Sequence, residues 1–280
     1  MANGKLTSEG RLSKLIGGIV FGLSALLVSQ GLAKDGPVAV DAEIVFAVDV
    51  SYSMDQEEQV LQRQGYADAL TSEQFINALK GGIHGKIAIS YMQWASYRDS
   101  DILLPWTVID GPESAVAFAD KLLRAPYRRA QRTSISGAID RSARMFNNNG
   151  FNGLRRVIDV SGDGANNDGR PVQAARDDAV KQGITINGLP LVGIRPSWNY
   201  ADIANLDLYY QDCVIGGDGA FMVAIRDRKG FTDATRTKLI QEIAAPNIPP
   251  MTFSVVPAQE REPRVNCMIG EAMWNRRWGN

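Results

Sequence analysis

From residue 43 onward, short apolar runs alternate with amphipathic stretches. Residues 43–50 (EIVFAVDV) are almost continuously apolar and branched, the pattern of a strand covered on both faces. Residues 55–70 predict a helix, and Thr71 with Gln74 reads as a capping box that starts a second one to about Lys80. The next strand is 86–94 (KIAISYMQW). Only a short polar stretch separates it from 102–109, too little chain for a helical crossover, so these two strands are expected to be antiparallel neighbours.

Gly111-Pro112 opens a helix to about Arg124, with proline in its first turn. Another helix starts at Thr133 and places Ile135, Ile139, Ser142 and Phe146 on one face. Residues 156–160 read as a strand, and the helix from Pro171 stops at Gly183. Further strands are expected at 184–192 and 219–225, with helices near 199–212 and 232–244; beyond Pro246 the chain is proline-rich and has no period. This alternation predicts an α/β fold: a three-layer sandwich around a mostly parallel, doubly wound sheet with one antiparallel edge strand. Ligands of such sheets bind outside the carboxyl ends of the strands, where the chain order reverses.

The segment before this pattern has a different character. Lys5, Arg11 and Lys14 precede an uncharged stretch over 15–29, and Gly31-Leu32-Ala33 then supplies small residues, the order of a secretory signal peptide. As a helix the stretch reaches ~22 Å, short of the ~30 Å hydrocarbon core. The expected organisation is therefore a signal peptide over 1–33, a domain over 34–245 and a C-terminal tail over 246–280. An uncleaved anchor is the alternative for the first segment, and the one route by which a membrane would be involved. Export implies a periplasmic or secreted protein, where an even pair of cysteines reads as a bridge between Cys213 and Cys267. Two unrelated buried thiols are the other reading of that pair.

Composition narrows the chemistry. The chain has 280 residues, 45% of them apolar, enough to bury a full core. Its 30 basic and 31 acidic residues leave a net charge of -1, which excludes a nucleic-acid binder driven by phosphate neutralisation. The lone histidine, His84, excludes most chemistry that needs paired imidazoles, and two cysteines do not make a structural zinc site.

The chemistry concentrates in three loops. The first strand ends in Asp49-Val50-Ser51-Tyr52-Ser53, residues that also suit a turn and a helix cap. Thr133-Ser134 starts the amphipathic helix after a basic loop with Arg124, Arg128, Arg129 and Arg132. The strand over 156–160 runs into Ser161-Gly162-Asp163-Gly164. Together, Asp49, Asp163, Ser51, Ser53 and Thr133 offer two carboxylates and three hydroxyls. Oxygen-only ligands suit a hard divalent cation, Mg2+ first, with Mn2+ or Ca2+ as alternatives. The basic loop either attracts an acidic partner or is simply solvated. Tyr52, Trp94 and Tyr97 are candidates for the rim, although Trp94 suits the core. Trp274 and Trp278, flanking Arg276 and Arg277, are expected to pack on the domain, with docking on a partner as the alternative.

This arrangement resembles the von Willebrand factor A domain family with its metal-ion-dependent adhesion site, over roughly 41–245. Asp49, Ser51 and Ser53 match the family's first motif, Thr133 its threonine and Asp163 its last aspartate. The segments VDAEIVFAVDVSYSM, GYADAL, RTSISGAID and VIDVSGDGANN more narrowly resemble an exported bacterial branch that carries no assigned function. The resemblance implies a non-enzymatic adhesion or assembly module. The three hydroxyls would be neutral ligands, the two aspartates would act directly or through water, and a partner protein would complete the shell with an Asp or Glu. In some relatives the helix after the last strand moves with ligand, here the segment near 232–244.

Two rival readings stand beside it. GDGANND over 162–168 resembles the acidic motif of haloacid-dehalogenase-type phosphatases, with Asp49 as nucleophile beside magnesium. Those enzymes usually carry a second aspartate two residues on, as general acid, and this chain has Ser51 there. The second rival is a metal-free structural scaffold of the same fold. No G-x-G-x-x-G follows the first strand, and His84 precedes the second strand, at the wrong end for a serine hydrolase.

Overall fold

Burial on both faces places the 43–50 run in the middle of a sheet. In a computed structural model, which describes residues 36–192, 203, 205–243, 256–257 and 263–278, strand β2 (Glu43–Asp49) is buried along its whole length. The expected signal peptide and the start of the helix near 199 lie outside these residues. All of the described residues belong to one compact unit, Gly36–Asn280.

Strands β3 (Ile87–Trp94) and β6 (Arg156–Gly162) flank β2 in parallel. Strand β4 (Ser100–Ile109) pairs antiparallel with β3 at one edge, as the short connection requires. On the other side β7 (Ile184–Pro190) and β8 (Phe221–Met222) continue in parallel, and β9 (Val256–Pro257) adds a second antiparallel strand. The order is β4-β3-β2-β6-β7-β8-β9. Two short strands, β1 (Val38–Val40) and β5 (Phe151–Gly153), form a separate parallel pair.

Alternation along β2 divides the core in two. Ile44, Phe46 and Val48 pack with Tyr66 and Leu70 of α1 (Gln56–Thr71), Phe118 and Leu122 of α3 (Pro112–Arg124), and Phe231 and Leu239 of α7 (Phe231–Ile243). Val45 and Ala47 face Ile135 and Ile139 of α4 (Ile135–Met145) and Ala175 of α5 (Val172–Lys181). The result is a layer of helices on each side of the sheet. Trp94, considered above for the rim, is fully buried in the second cluster.

Several elements differ in detail from expectation. The cap between α1 and α2 (Glu73–Lys80) is Ser72, whose hydroxyl accepts from Phe75 N at 3.2 Å. Thr71 instead donates back to Ala67 O at 2.8 Å, as a hydroxyl inside a last helical turn can. The helix expected to end near 212 is α6 (Leu206–Tyr209), continued by a π-turn over Tyr210–Val214. The strand expected over 219–225 pairs regularly only at β8, and Ile225 meets Leu191 in an isolated bridge. Past 246, where no period was visible, the chain forms β9 and α8 (Ile269–Trp278). Helix α8 buries only Gly270, so it needs no apolar stripe. Cys213 and Cys267 are disulfide-bonded, 54 residues apart in sequence, and tie this tail to the π-turn.

Candidate functional site

The chain order reverses between β2 and β6, and both strands end at the same edge of the sheet. Asp49 closes β2 opposite Trp94 of β3. Val50 N still donates to Trp94 O at 2.9 Å, and Ala130 N donates to Val50 O at 2.9 Å. The backbone then turns, with Met54 N donating to Ser51 O at 2.9 Å, and Asp55 caps α1 through a capping box with Glu58. Ser51 and Ser53 therefore sit in a short turn directly beyond the buried strand.

Four of the five expected site residues form a continuous hydrogen-bonded chain. Ser51 N donates to Asp49 Oδ1 at 2.7 Å, Ser51 Oγ lies 2.7 Å from Ser53 Oγ, and Ser53 Oγ donates to Asp163 Oδ1 at 2.7 Å. Thr133 is held beside them by Asn167, whose Oδ1 accepts from Thr133 N at 2.9 Å and whose N donates to Thr133 O at 2.8 Å. A side-chain carbon at Gly164 would lie 3.7 Å from Thr133 Oγ1, so that hydroxyl faces the loop carrying Asp163. Among the described residues it makes no hydrogen bond to the other four.

Asp49 is fully buried, and among the described residues its Oδ2 has no hydrogen-bond partner. Burial, and then the nearby Asp163 carboxylate, hold its carboxyl well above the usual range. An unmet buried carboxylate oxygen is costly, and it marks a place where a proton or a cation would be favoured. Among the described residues no group of three His, Cys, Asp or Glu side chains could hold a metal. The donor set here is different, two carboxylates with three hydroxyls. Neutral and anionic oxygens of that kind fit a hard divalent cation.

Several contributors carry no motif of their own. Tyr210, in the π-turn, is fully buried with a hydroxyl that has no hydrogen-bond partner among the described residues, and burial together with the carboxylates of Asp49 and Asp163 raises its pKa strongly. Asn166 fixes the loop after β6: its Oδ1 accepts from Ser136 N at 2.9 Å and its Nδ2 donates to Glu271 Oε1 of α8 at 2.6 Å. Consecutive asparagines after a strand end were the only sequence sign of this bracing. Burial raises the Glu271 pKa above the ordinary glutamate value. Tyr52 and Tyr97 are exposed at the same end of the sheet, and Tyr97 N donates to Asp168 Oδ2 at 2.7 Å. Trp274 of α8 lies under the Arg132 guanidinium, 3.4 Å from ring centroid to Cζ. His84 is an exposed loop residue before β3, where its N donates to Asp41 Oδ1 at 2.9 Å, at the amino end of the strands.

A family model described as "Protein of unknown function (DUF1194)" matches residues 39–247. No curated protein matches the sequence. Among solved structures, proximal thread matrix protein 1 from the mussel byssus is similar with a TM-score of 0.50 and 13% identity, over 75% of this chain and 49% of that one. The same protein with a zinc-occupied MIDAS motif gives a TM-score of 0.50 and 14% identity, over 75% and 48%. A von Willebrand factor type A protein from Catenulispora acidiphila gives a TM-score of 0.47 and 13% identity, over 73% and 43%. The chain thus spans about half the length of the mussel proteins it matches. At these identities the likeness is one of fold.

Proposed function

Because the chain belongs to the family described as a protein of unknown function, DUF1194, and has the von Willebrand factor A fold, we propose that it is an exported, divalent-cation-dependent protein-binding module rather than an enzyme. Asp49, Ser51, Ser53, Thr133 and Asp163 would hold Mg2+, or Mn2+ or Ca2+ in its place. The observation that carries this reading is the hydrogen-bonded run that links Asp163 through Ser53 and Ser51 to Asp49, whose second, buried carboxylate oxygen has no hydrogen-bond partner among the described residues. A fully satisfied turn would leave no such oxygen.

A bound cation would supply residual positive charge at the surface, able to take an Asp or Glu of a partner protein as a further ligand. The chain's own residues prepare for that. The turn sets Ser53 Oγ on Asp163 Oδ1 with Ser51 Oγ against Ser53 Oγ, and Asn167 holds the backbone of Thr133. The zinc-occupied motif of the mussel protein supports a divalent ion at this kind of site. The Cys213–Cys267 bridge supports an oxidising compartment, periplasmic or extracellular. Among the described residues no helix is long and apolar enough to cross a membrane.

The test is calorimetric titration of Mg2+ and Mn2+ into the protein, beside Asp49→Asn and Asp163→Asn, with circular dichroism to show retained folding and a generic phosphate ester to detect turnover. Cation binding in the wild type, lost in both variants and without turnover, is the expected result. A wild type that binds neither ion overturns the reading. Ester turnover dependent on Asp49 would make the protein a phosphatase.

A further inference from the structure

Several arginines of this protein are paired with carboxylates, while others, such as Arg63 and Arg156, donate to backbone carbonyls. Arg128 meets Asp99 at 2.6 Å, Arg170 meets Asp140 at 2.6 Å and Arg226 meets Asp207 at 2.5 Å. Arg129 and Arg132 have no carboxylate partner among the described residues, and both are held in place by neutral groups. Arg129 donates to the Tyr52 carbonyl, and its guanidinium lies 5.4 Å from the Tyr52 ring centroid. Arg132 donates to Asn167 O at 3.2 Å and stacks on Trp274 at 3.4 Å. These anchors bracket the site: Tyr52 lies between Ser51 and Ser53, and Arg132 immediately precedes Thr133. Arg132 also has a φ of +72°, a strained conformation for a side-chain-bearing residue and one that clusters at binding sites.

The second half of this surface comes from the tail. Helix α8 lies beyond the residues matched by the family model. It is fixed to the site loop by the Asn166–Glu271 hydrogen bond and by the approach of Gly270, where an added side-chain carbon would lie 2.1 Å from Asn166 O. The disulfide fastens its amino end. Docked this way, α8 holds Trp274 under Arg132 and leaves Trp278 61% exposed.

We propose that α8 and the loop ending at Thr133 form a cationic, aromatic rim that docks an acidic protein segment, with Arg129 and Arg132 pairing to carboxylates adjacent to the one taken at the cation site. The proposal rests on the cation-binding reading for that first carboxylate only. Two guanidiniums held by carbonyls and rings, with no ion-pair partner among the described residues, are preorganised to accept carboxylates from outside. Complementary charge of this kind sets partner choice and encounter rate.

The probe is a fluorescein-labelled hexa-aspartate peptide, with hexa-serine as control, followed by anisotropy in Mg2+ and in chelator. The proteins are wild type, Arg129→Gln, Arg132→Gln, their double variant, Trp274→Ala and Asp49→Asn. Arg144→Gln, at the far end of α4, removes the same charge away from the site. Each rim arginine variant is expected to weaken the peptide by about fivefold and the double variant by tenfold or more, in both buffers, with Arg144→Gln unchanged. Equal affinity in the rim variants and Arg144→Gln overturns the rim, whatever the Mg2+ dependence. Affinity that depends on the arginines but is indifferent to Mg2+ and to Asp49→Asn supports the rim and overturns the cation reading. Absence of hexa-aspartate binding in every condition, or equal binding of a single-stranded oligonucleotide of the same charge, overturns the assignment to an acidic protein segment.

Discussion

Gly162 and Asp49 are in such close contact that a side-chain carbon at Gly162 would lie 2.9 Å from Asp49 Oδ2 and 3.1 Å from Tyr210 Oη. Gly162 is not one of the residues with positive φ, so the requirement for glycine comes from contact and not from backbone conformation. Both neighbours are fully buried and have nowhere to retreat. Gly162→Ala is therefore expected to lower stability by about 1–3 kcal/mol, as overpacking does. With Asp49 as a ligand, as proposed above, it should also weaken Mg2+ binding by at least about tenfold, since a small shift of such a carboxylate would be costly. Chemical denaturation and calorimetry on the same sample check both, and unchanged Mg2+ affinity would separate Asp49 from the ion.

The Cys213–Cys267 bridge should matter twice. Its partners are 54 residues apart, and closing a loop of that size stabilises the fold by about 2–4 kcal/mol, mainly by restricting the unfolded chain. Because α8 buries only Gly270, loss of the bridge is also expected to loosen Trp274 from Arg132. Replacing both cysteines by serine should lower the denaturation midpoint and raise acrylamide quenching of tryptophan, an effect absent in a Trp274→Phe background. An unchanged midpoint with unchanged quenching would reject the tether.

The sequence announces the elements whose burial leaves a pattern. Strands covered on both faces appear as apolar runs, so β2, β3, β6 and β7 and the antiparallel β4 were all readable. The convergence of Asp49, Ser51, Ser53 and Asp163 was readable too, because strand ends next to a reversal of chain order have few places to go. Tyr210 was not. It reaches Asp49 and Asp163 through a π-turn, a feature that hydrophobic periodicity does not encode. Helix α8 was equally silent, since a helix held by a disulfide, a glycine contact and one Asn–Glu hydrogen bond needs no amphipathic stripe. The capping box assigned to Thr71 slipped by one residue because adjacent Thr and Ser are both competent caps, and the backbone chose Ser72.

Beneath the sheet, Lys238 of α7 is fully buried with two carboxylates. Its Nζ lies 2.5 Å from Asp159 Oδ1 of β6, and it also pairs with Glu242 one turn on; Asn187 of β7 donates to Glu242 Oε1 at 3.0 Å. The cation is what makes two buried acids tolerable. Lys238→Met should therefore cost about 3–5 kcal/mol, well above the effect of an exposed lysine such as Lys229. Urea denaturation of both variants decides this, and a loss below about 1 kcal/mol would show that the acids are neutral without their lysine.

The same cluster gives stability a dependence on pH. Burial, and next the Glu242 carboxylate, push the Asp159 pKa up to about 7, against the opposing pull of Lys238 and the Tyr66 hydroxyl. In the unfolded chain an aspartate titrates near ~3.9. Between those two values the folded protein binds more protons than the unfolded one, so stability is greatest at the acid end and declines as pH rises toward 7. Among the described residues, the titratable groups that act on Asp159 are Lys238 and Glu242 of α7, Tyr66 of α1, Tyr91 of β3 and Tyr210 of the π-turn, and Glu242 alone is a second carboxylate. Asp159→Asn removes the titration while keeping an acceptor for the Tyr66 hydroxyl. The wild type should therefore lose more unfolding free energy between pH 5 and pH 8 than Asp159→Asn does. Parallel profiles would mean that Lys238 keeps Asp159 ionised throughout and overturn the assignment of the pH dependence to Asp159.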